Sequence, residues 1–251
     1  MSNRFIPYLQ RTIALQRADP GLGLLQYRNL LTAGRYAALF GLAQKYLMPG
    51  QRVLDWGCGN GHFAYFLANL GFRPNIFSLD DPPPLLSRLR SDGYEFAKGD
   101  KSDPVNLPYP DGYFDRIFSV GVLEHVREFG GSEEASLAEI RRILKPGGMF
   151  IAYHIPNSLS WIEFVASLVP GKHHHRWRYN RRKLRALLER VGYDILEVGS
   201  YGILPRWMMG RCPDVLASSV WLASTFNGLD RVLEKTFPLF CTNHLAVVRK
   251  P

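Results

Sequence analysis

The segment Val53-Leu54-Asp55-Trp56-Gly57-Cys58-Gly59-Asn60-Gly61 limits what this chain can fold into more than any other stretch. A short β-prone run, Arg52 to Trp56, ends in glycines at alternate positions, and an apolar run of helical character, His62 to Leu70, follows at once. A strand that turns sharply into a helix needs residues without side chains at the bend, and the amides exposed there can receive a ligand. A tight turn with no ligand would use the same glycines. The spacing is not the G-x-G-x-x-G of a dinucleotide fingerprint, and no Gly-Lys-Ser/Thr follows as in a phosphate-binding P-loop.

The same alternation continues along the chain. Strand-like runs cover Asn75 to Leu79, Tyr94 to Ala97, Phe114 to Val120, Met149 to Tyr153, Tyr193 to Val198 and Asn243 to Val248. Helical runs cover Pro82 to Arg90, Ser132 to Leu144 and Arg181 to Val191. Strands alternating with helices imply an α/β fold with parallel pairing and right-handed crossovers. Before the first strand, Tyr36, Leu39, Phe40, Ala43, Tyr46 and Leu47 recur at helical spacing until Pro49-Gly50. Before the last strand, Val215, Leu216, Val220, Leu222, Phe226, Leu229, Leu233 and Phe237 form an apolar helical stripe, with Asp230, Arg231, Glu234 and Lys235 expected on the solvent side. The expected organisation is a helical lead-in or lid over 1–50, a core over 51–200, a helical insertion over 201–242 and a final core strand over 243–251.

A chain of 251 residues, 46% hydrophobic and 21% charged, suits one main globular domain and excludes wholesale disorder. Cys58, Cys212 and Cys241 are odd in number and far apart, which suggests neither disulfides nor a zinc knuckle and fits a reducing, cytoplasmic compartment. Arg4, Pro7, Arg11 and Arg17 interrupt the first residues, which do not read as a secretory leader. The longest apolar-leaning stretch, Val215 to Phe226, is about half of the roughly 20 residues that a spanning helix needs.

The first motif resembles that of the class I S-adenosylmethionine-dependent methyltransferases, V-L-D-x-G-C-G-x-G, matched from Val53 to Gly61. Leu107-Pro108-Tyr109-Pro110-Asp111 with Phe114-Asp115, then Leu123-Glu124-His125-Val126, then Glu139 to Gly148, resemble in order the further motifs of the small-molecule and lipid type, the ubiquinone-biosynthesis methyltransferases. The resemblance implies a Rossmann-like, seven-stranded, mostly parallel sheet with helices on both faces and the last strand antiparallel. It implies S-adenosyl-L-methionine as cofactor and S-adenosyl-L-homocysteine as product. Asp55, Gly57, Cys58, Gly59 and Gly61 would cradle the methionine portion. Asp80, about twenty residues after the loop, is placed to accept hydrogen bonds from a ribose diol, with Asp81 as a neighbouring competitor and a helix cap as the alternative role. Asp100, Lys101 and Val120 complete the implied cofactor residues. Trp56 and Pro82-Pro83-Pro84 depart from the family's pattern.

Methyl transfer from a sulfonium gains most from positioning, and a base helps only where the acceptor holds a proton. His125 and His154 follow the fourth and fifth strand runs, where open α/β sheets bind ligands, and are the candidate catalytic residues; a structural or solvated role is the alternative for each. His173-His174-His175 lacks a nearby carboxylate or cysteine at ligand spacing, so no metal is expected.

The formal net charge is +9, and the stretch Lys172 to Arg190 holds eight basic residues against Glu189. Trp177 and Tyr179 are interleaved with arginines, which suits an anionic membrane surface contacted through the basic helix 176–190, although a solvated helix face would look the same. The expected acceptor is a small molecule or lipid-linked compound, with a hydroxyl as the atom methylated and the protein peripheral to the inner face of the membrane. An RNA methyltransferase is the weaker reading, because no Asn/Asp-Pro-Pro-Tyr/Phe motif stands at Ser119 to Val122 and no Pro-Cys nucleophile is present there. The other alternative is a non-catalytic cofactor-fold binding protein. No obligate protein partner is evident.

Overall fold

The computed structural model describes residues 3–169, 171 and 174–251. Lys172 and His173, counted above in the basic stretch and the histidine triplet, lie outside them. Seven strands form one sheet: β1 (Val53–Trp56), β2 (Asn75–Ser78), β3 (Glu95–Lys98), β4 (Phe114–Val120), β5 (Leu144–Pro156), β6 (Asp194–Tyr201) and β7 (Asn243–Arg249). Their order is β3-β2-β1-β4-β5-β7-β6. The first five are parallel, and β7 enters antiparallel between β5 and β6. Helices α1 (Ile6–Ala18), α2 (Leu30–Ala33) and α3 (Tyr36–Tyr46) precede the sheet; α4 (His62–Asn69), α5 (Glu133–Ile143), α6 (Trp161–Ser167) and α7 (Arg181–Arg190) lie between strands; α8 (Asp214–Ala217) and α9 (Val220–Thr236) come before β7.

Successive strand residues point to opposite faces, and the core divides accordingly. Leu54, Phe77, Ile117, Phe150 and Val248 pack with Leu137, Ile140 and Ile143 of α5 and with Leu184, Leu187 and Leu188 of α7. Ile76, beside Phe77 on β2, packs on the other face with Ala64 of α4 and Leu86. Ser132 caps α5 by accepting the Ala135 amide, and Asn180 caps α7 by accepting that of Lys183.

Three expectations are corrected. The helix read over Pro82 to Arg90 is a short 3-10 stretch, Pro84–Arg88. Three consecutive prolines have no amide hydrogens to extend α-helical bonding. The fifth strand is longer than Met149 to Tyr153 at both ends, because Leu144 already pairs with Phe114 and Pro156 still pairs with Asn243. His154 therefore lies within β5, not beyond it.

The third correction concerns the insertion. The chain forms two compact units: residues 49–201 with 239–251, and residues 1–48 with 202–238. In the second unit α9 buries Ala223, Asn227 and Asp230, while Leu229, Val232 and Trp221 are exposed. The cause is Arg206, itself buried, whose guanidinium donates to Asp230 and to the Leu31 carbonyl. Asp230 also accepts the amides of Ile203 and Leu204. A buried cation requires its counterion, and that requirement turns Asp230 inward, while Arg231 and Lys235 stay exposed as expected.

Candidate active site

The glycine loop leaves β1, whose four residues are all buried. Gly57 has φ +74°, and a Cβ there would stand 2.5 Å from Cγ2 of Val122, in the loop after β4. Gly59, with φ +52°, would direct a Cβ into open space, with nothing within 4 Å. The loop is fixed by the amides of Gly57 and Cys58, both donating to the Phe77 carbonyl at 2.9 and 3.2 Å. Asp55 is buried and takes the Ala64 amide, while its Oδ2 has no hydrogen-bond partner among the described residues. Burial raises its carboxyl to about 7. Burial, with the nearby Asp55, also pushes the Cys58 thiol up, so it stays protonated.

A buried polar oxygen with no partner among the described residues, on the strand that leads into a glycine opening on free space, fits a ligand carrying a polar head. Asp80 is exposed and its Oδ1 lies 2.6 Å from Nζ of Lys101. Asp81 pairs separately with Lys98 at 2.7 Å, and that hydrogen bond holds its carboxyl low. Asp100 turns back on its own loop, accepting the Ser102 amide at 2.8 Å, a bond that keeps it ionised. Val120 ends β4, paired with Tyr153. The structure thus brings Asp80 and Lys101 onto each other, and it commits Asp100 to a turn.

His125 and His154 both lie at the C-terminal ends of neighbouring strands. A Cβ placed on Gly121, just after β4, would be 3.5 Å from Glu124 Oε1 and 3.8 Å from the His154 Cβ. His125, on the 3-10 turn Leu123–Phe129, sets Nδ1 3.1 Å from Glu128 Oε1 and Nε2 4.0 Å from Glu124 Oε1. Glu124 is 3% exposed, its Oε2 has no partner among the described residues, and burial raises it to about 7. His154 has φ +65°, the only non-glycine positive φ among the described residues, at an irregularity between Ala152 and Ile155. Tyr201 of β6 meets both its amide and its Nδ1, at 2.9 and 2.7 Å.

Between Ser158 and Arg178 the described residues form an excursion from the sheet. Its base is closed by the Ser158 amide donating to the Tyr179 carbonyl and the Tyr179 amide donating to the Pro156 carbonyl, at 3.0 and 2.9 Å. Within it, Glu163 accepts both the His175 amide and the ring Nδ1, at 2.9 and 3.0 Å. Burial opposes charge on His175, but the hydrogen bond to Glu163 and nearby carboxylates outweigh it and raise the imidazole. Tyr201, Glu124 and Glu163 were not singled out from sequence. Only Glu124, adjacent to His125 within a recognised motif, carried a signal that could have found it. The Glu139 and Arg142 of the later motif are structural: Glu139 takes the Leu107 amide, and Arg142 donates to the carbonyls of Leu107 and Tyr109 and to Asp111.

On α7 the exposed residues Arg181, Arg182 and Arg185 line an open groove of about 560 Å³ with Ala186 and Glu189. In the excursion Trp161, Phe164, Val165 and Leu168 are exposed, Phe164 by 61% and Leu168 by 67%. The Arg176 guanidinium stands over the Trp177 ring at 4.9 Å. Among the described residues no helix is long and apolar enough to cross a membrane.

Residues 54–152 match a family described as methyltransferase domain. The chain is 36% identical over 109 residues to the fatty-acid O-methyltransferase of Mycolicibacterium smegmatis, a match covering 41% of this chain and 37% of that protein. It is 34% identical over 107 residues to the tRNA (carboxymethyluridine(34)-5-O)-methyltransferase of Arabidopsis thaliana, covering 42% of this chain and 24% of that protein. The chain therefore spans well under half the length of these two relatives. In fold it is similar to the Haemonchus contortus phosphoethanolamine N-methyltransferase 2 in complex with S-adenosyl-L-methionine, with a TM-score of 0.59, 18% identity, and 86% of this chain and 53% of that chain covered.

Proposed function

We propose that this class I S-adenosylmethionine-dependent methyltransferase, with its methyltransferase domain at residues 54–152, methylates an oxygen of a small or lipid-linked acceptor at an anionic membrane surface. A purely binding role is set aside, because the domain and its relatives are those of enzymes. The observation that carries the reading is the glycine loop, where the unpartnered Asp55 oxygen and the open space at Gly59 fit the cofactor's polar methionine portion. Asp55, Gly57, Cys58, Gly59 and Gly61 would hold that portion. Asp80 would take the ribose once Lys101 swings aside, with Val120 beside the site. When bound, S-adenosyl-L-methionine supplies a methyl group on a sulfonium, already activated for displacement.

The chain's own contribution is then orientation and proton handling. His154 is held at Nδ1 by Tyr201. An imidazole so held is the residue proposed to take the proton of an acceptor hydroxyl. His125, restrained by Glu128, is the second residue placed to meet the acceptor.

The membrane part of the proposal draws on the exposed apolar side chains of α6 and on Arg176 and Arg178, close behind it in sequence. The cationic face of α7 would also suit RNA, and one relative is named for tRNA, so RNA is the second reading. Cofactor labelled in its methyl group, incubated with the protein and an extract of the native host, separates them. Label in the organic fraction, with binding to anionic but not neutral vesicles, is expected. Label in RNA would overturn the acceptor class. No transfer and no affinity for S-adenosyl-L-homocysteine would overturn methyl transfer itself.

A further inference from the structure

Glu124, His125 and His175 each offer a ligand atom, and these atoms all lie within 4.8 Å of one another. They come from two separate segments: Glu124 and His125 from the turn after β4, and His175 from the far end of the excursion. Three features mark the cluster as more than an ion pair. The Glu124 side chain is more than nine-tenths buried, and its Oε2 has no partner among the described residues. Each histidine has its Nδ1 turned to a carboxylate, Glu128 for His125 and Glu163 for His175, which fixes the ring. Glu124, Glu128 and Glu163 gather three carboxylates around two imidazoles, an arrangement that a cation can knit together.

We propose that Glu124, His125 and His175 bind one divalent metal ion of the zinc type, and that the ion fastens the 158–178 excursion to the turn after β4. Two imidazoles and one carboxylate form a donor set that zinc accepts, with nitrogen and oxygen at about 2.0–2.2 Å. Ligand atoms in such a site stand about 3.3 Å apart, so the three close by about an ångström or a little more on binding. The proposal extends beyond methyl transfer, since a structural ion needs no cofactor and no acceptor; it makes His125 a ligand and leaves His154 to meet the acceptor.

Untagged protein stripped with a chelator and titrated with Co²⁺ should take up one equivalent. Visible d–d bands should appear, Zn²⁺ should displace them, and the melting temperature should rise by several degrees. Glu124→Gln and His175→Ala should each weaken Co²⁺ binding at least a hundredfold, and Glu163→Gln by about ten- to a hundredfold. Unchanged affinity for S-adenosyl-L-homocysteine in Glu124→Gln shows that the variant is folded. The proposal is overturned if the native protein takes up no stoichiometric metal. It is equally overturned if binding survives in Glu124→Gln.

Discussion

Tyr201 on β6 reaches past the intervening β7 to hold His154 on β5 at two points, its amide at 2.9 Å and its Nδ1 at 2.7 Å. The contact secures a histidine whose positive φ is otherwise disfavoured for a residue with a side chain. Replacing Tyr201 by Phe removes both hydrogen bonds but keeps the ring that stacks on Tyr153 at 4.4 Å. Loss of about 1–2 kcal/mol of stability is expected. With His154 at the acceptor, kcat should fall about tenfold or more while S-adenosyl-L-homocysteine affinity stays within about twofold. Steady-state kinetics beside calorimetry checks this, and an unchanged kcat would remove His154 from the chemistry.

The loop glycines are expected to fail in different ways. Gly57→Ala combines a left-handed φ with a Cβ 2.5 Å from Val122, so it should cost about 3 kcal/mol or more and disturb the fold. Gly59→Ala meets nothing within 4 Å, so its cost is the backbone strain of about 1–2 kcal/mol. Its methyl group would instead enter the space assigned to the cofactor, and affinity for S-adenosyl-L-homocysteine should drop at least about tenfold. Melting curves and isothermal titration on both variants separate folding from binding.

Lys101 occupies the carboxylate that a ribose would need. Both partners are mostly exposed, so Lys101→Ala should leave stability within about 1 kcal/mol. Cofactor affinity should hold or tighten about two- to threefold, whereas Asp80→Asn should weaken it about tenfold. A large loss of affinity in Lys101→Ala would instead make Lys101 a direct cofactor contact.

The strands and their parallel run were legible because each strand carries its own apolar run and most turns a glycine or proline, whereas the antiparallel last strand followed only from the family resemblance. The glycine loop was legible for the same local reason. What could not be read were contacts between distant segments. Tyr201 and His154 are 47 residues apart, and nothing near either marks the pairing. Glu163 and His175 meet only because the excursion folds back on itself. The outward turn of Leu229 and Val232 follows from one arginine, Arg206, which lies outside α9.

That arginine yields a stability prediction. Asp230→Ala strands a guanidinium that is 5% exposed, and a loss of about 3–5 kcal/mol is expected. Denaturant unfolding should show it, and a change below about 1 kcal/mol would mean that the Leu31 carbonyl suffices for Arg206.

Burial lowers the His62 imidazole from 6.5 to about 3. The unfolded chain takes up that proton below about pH 6.5 and the folded chain does not, so this contribution to stability is complete above that pH and is lost as the pH falls toward 3. At pH 5 the loss from this one residue is about 2 kcal/mol. His62→Phe should flatten the stability profile between pH 7 and pH 5 by that amount, as urea unfolding at several pH values would reveal.

The excursion over 158–178 leaves and rejoins the sheet at nearly the same place, tied there by Ser158 and Tyr179. Because its two ends already meet, its length and contents can change without moving a strand or altering a register. Glu124 and His125 stand on the scaffold, while Trp161, Phe164 and His175 travel with the loop. The loop is thus an exchangeable cassette: replacing it would remove its surface character and its proposed metal ligand together, and leave the glycine loop untouched.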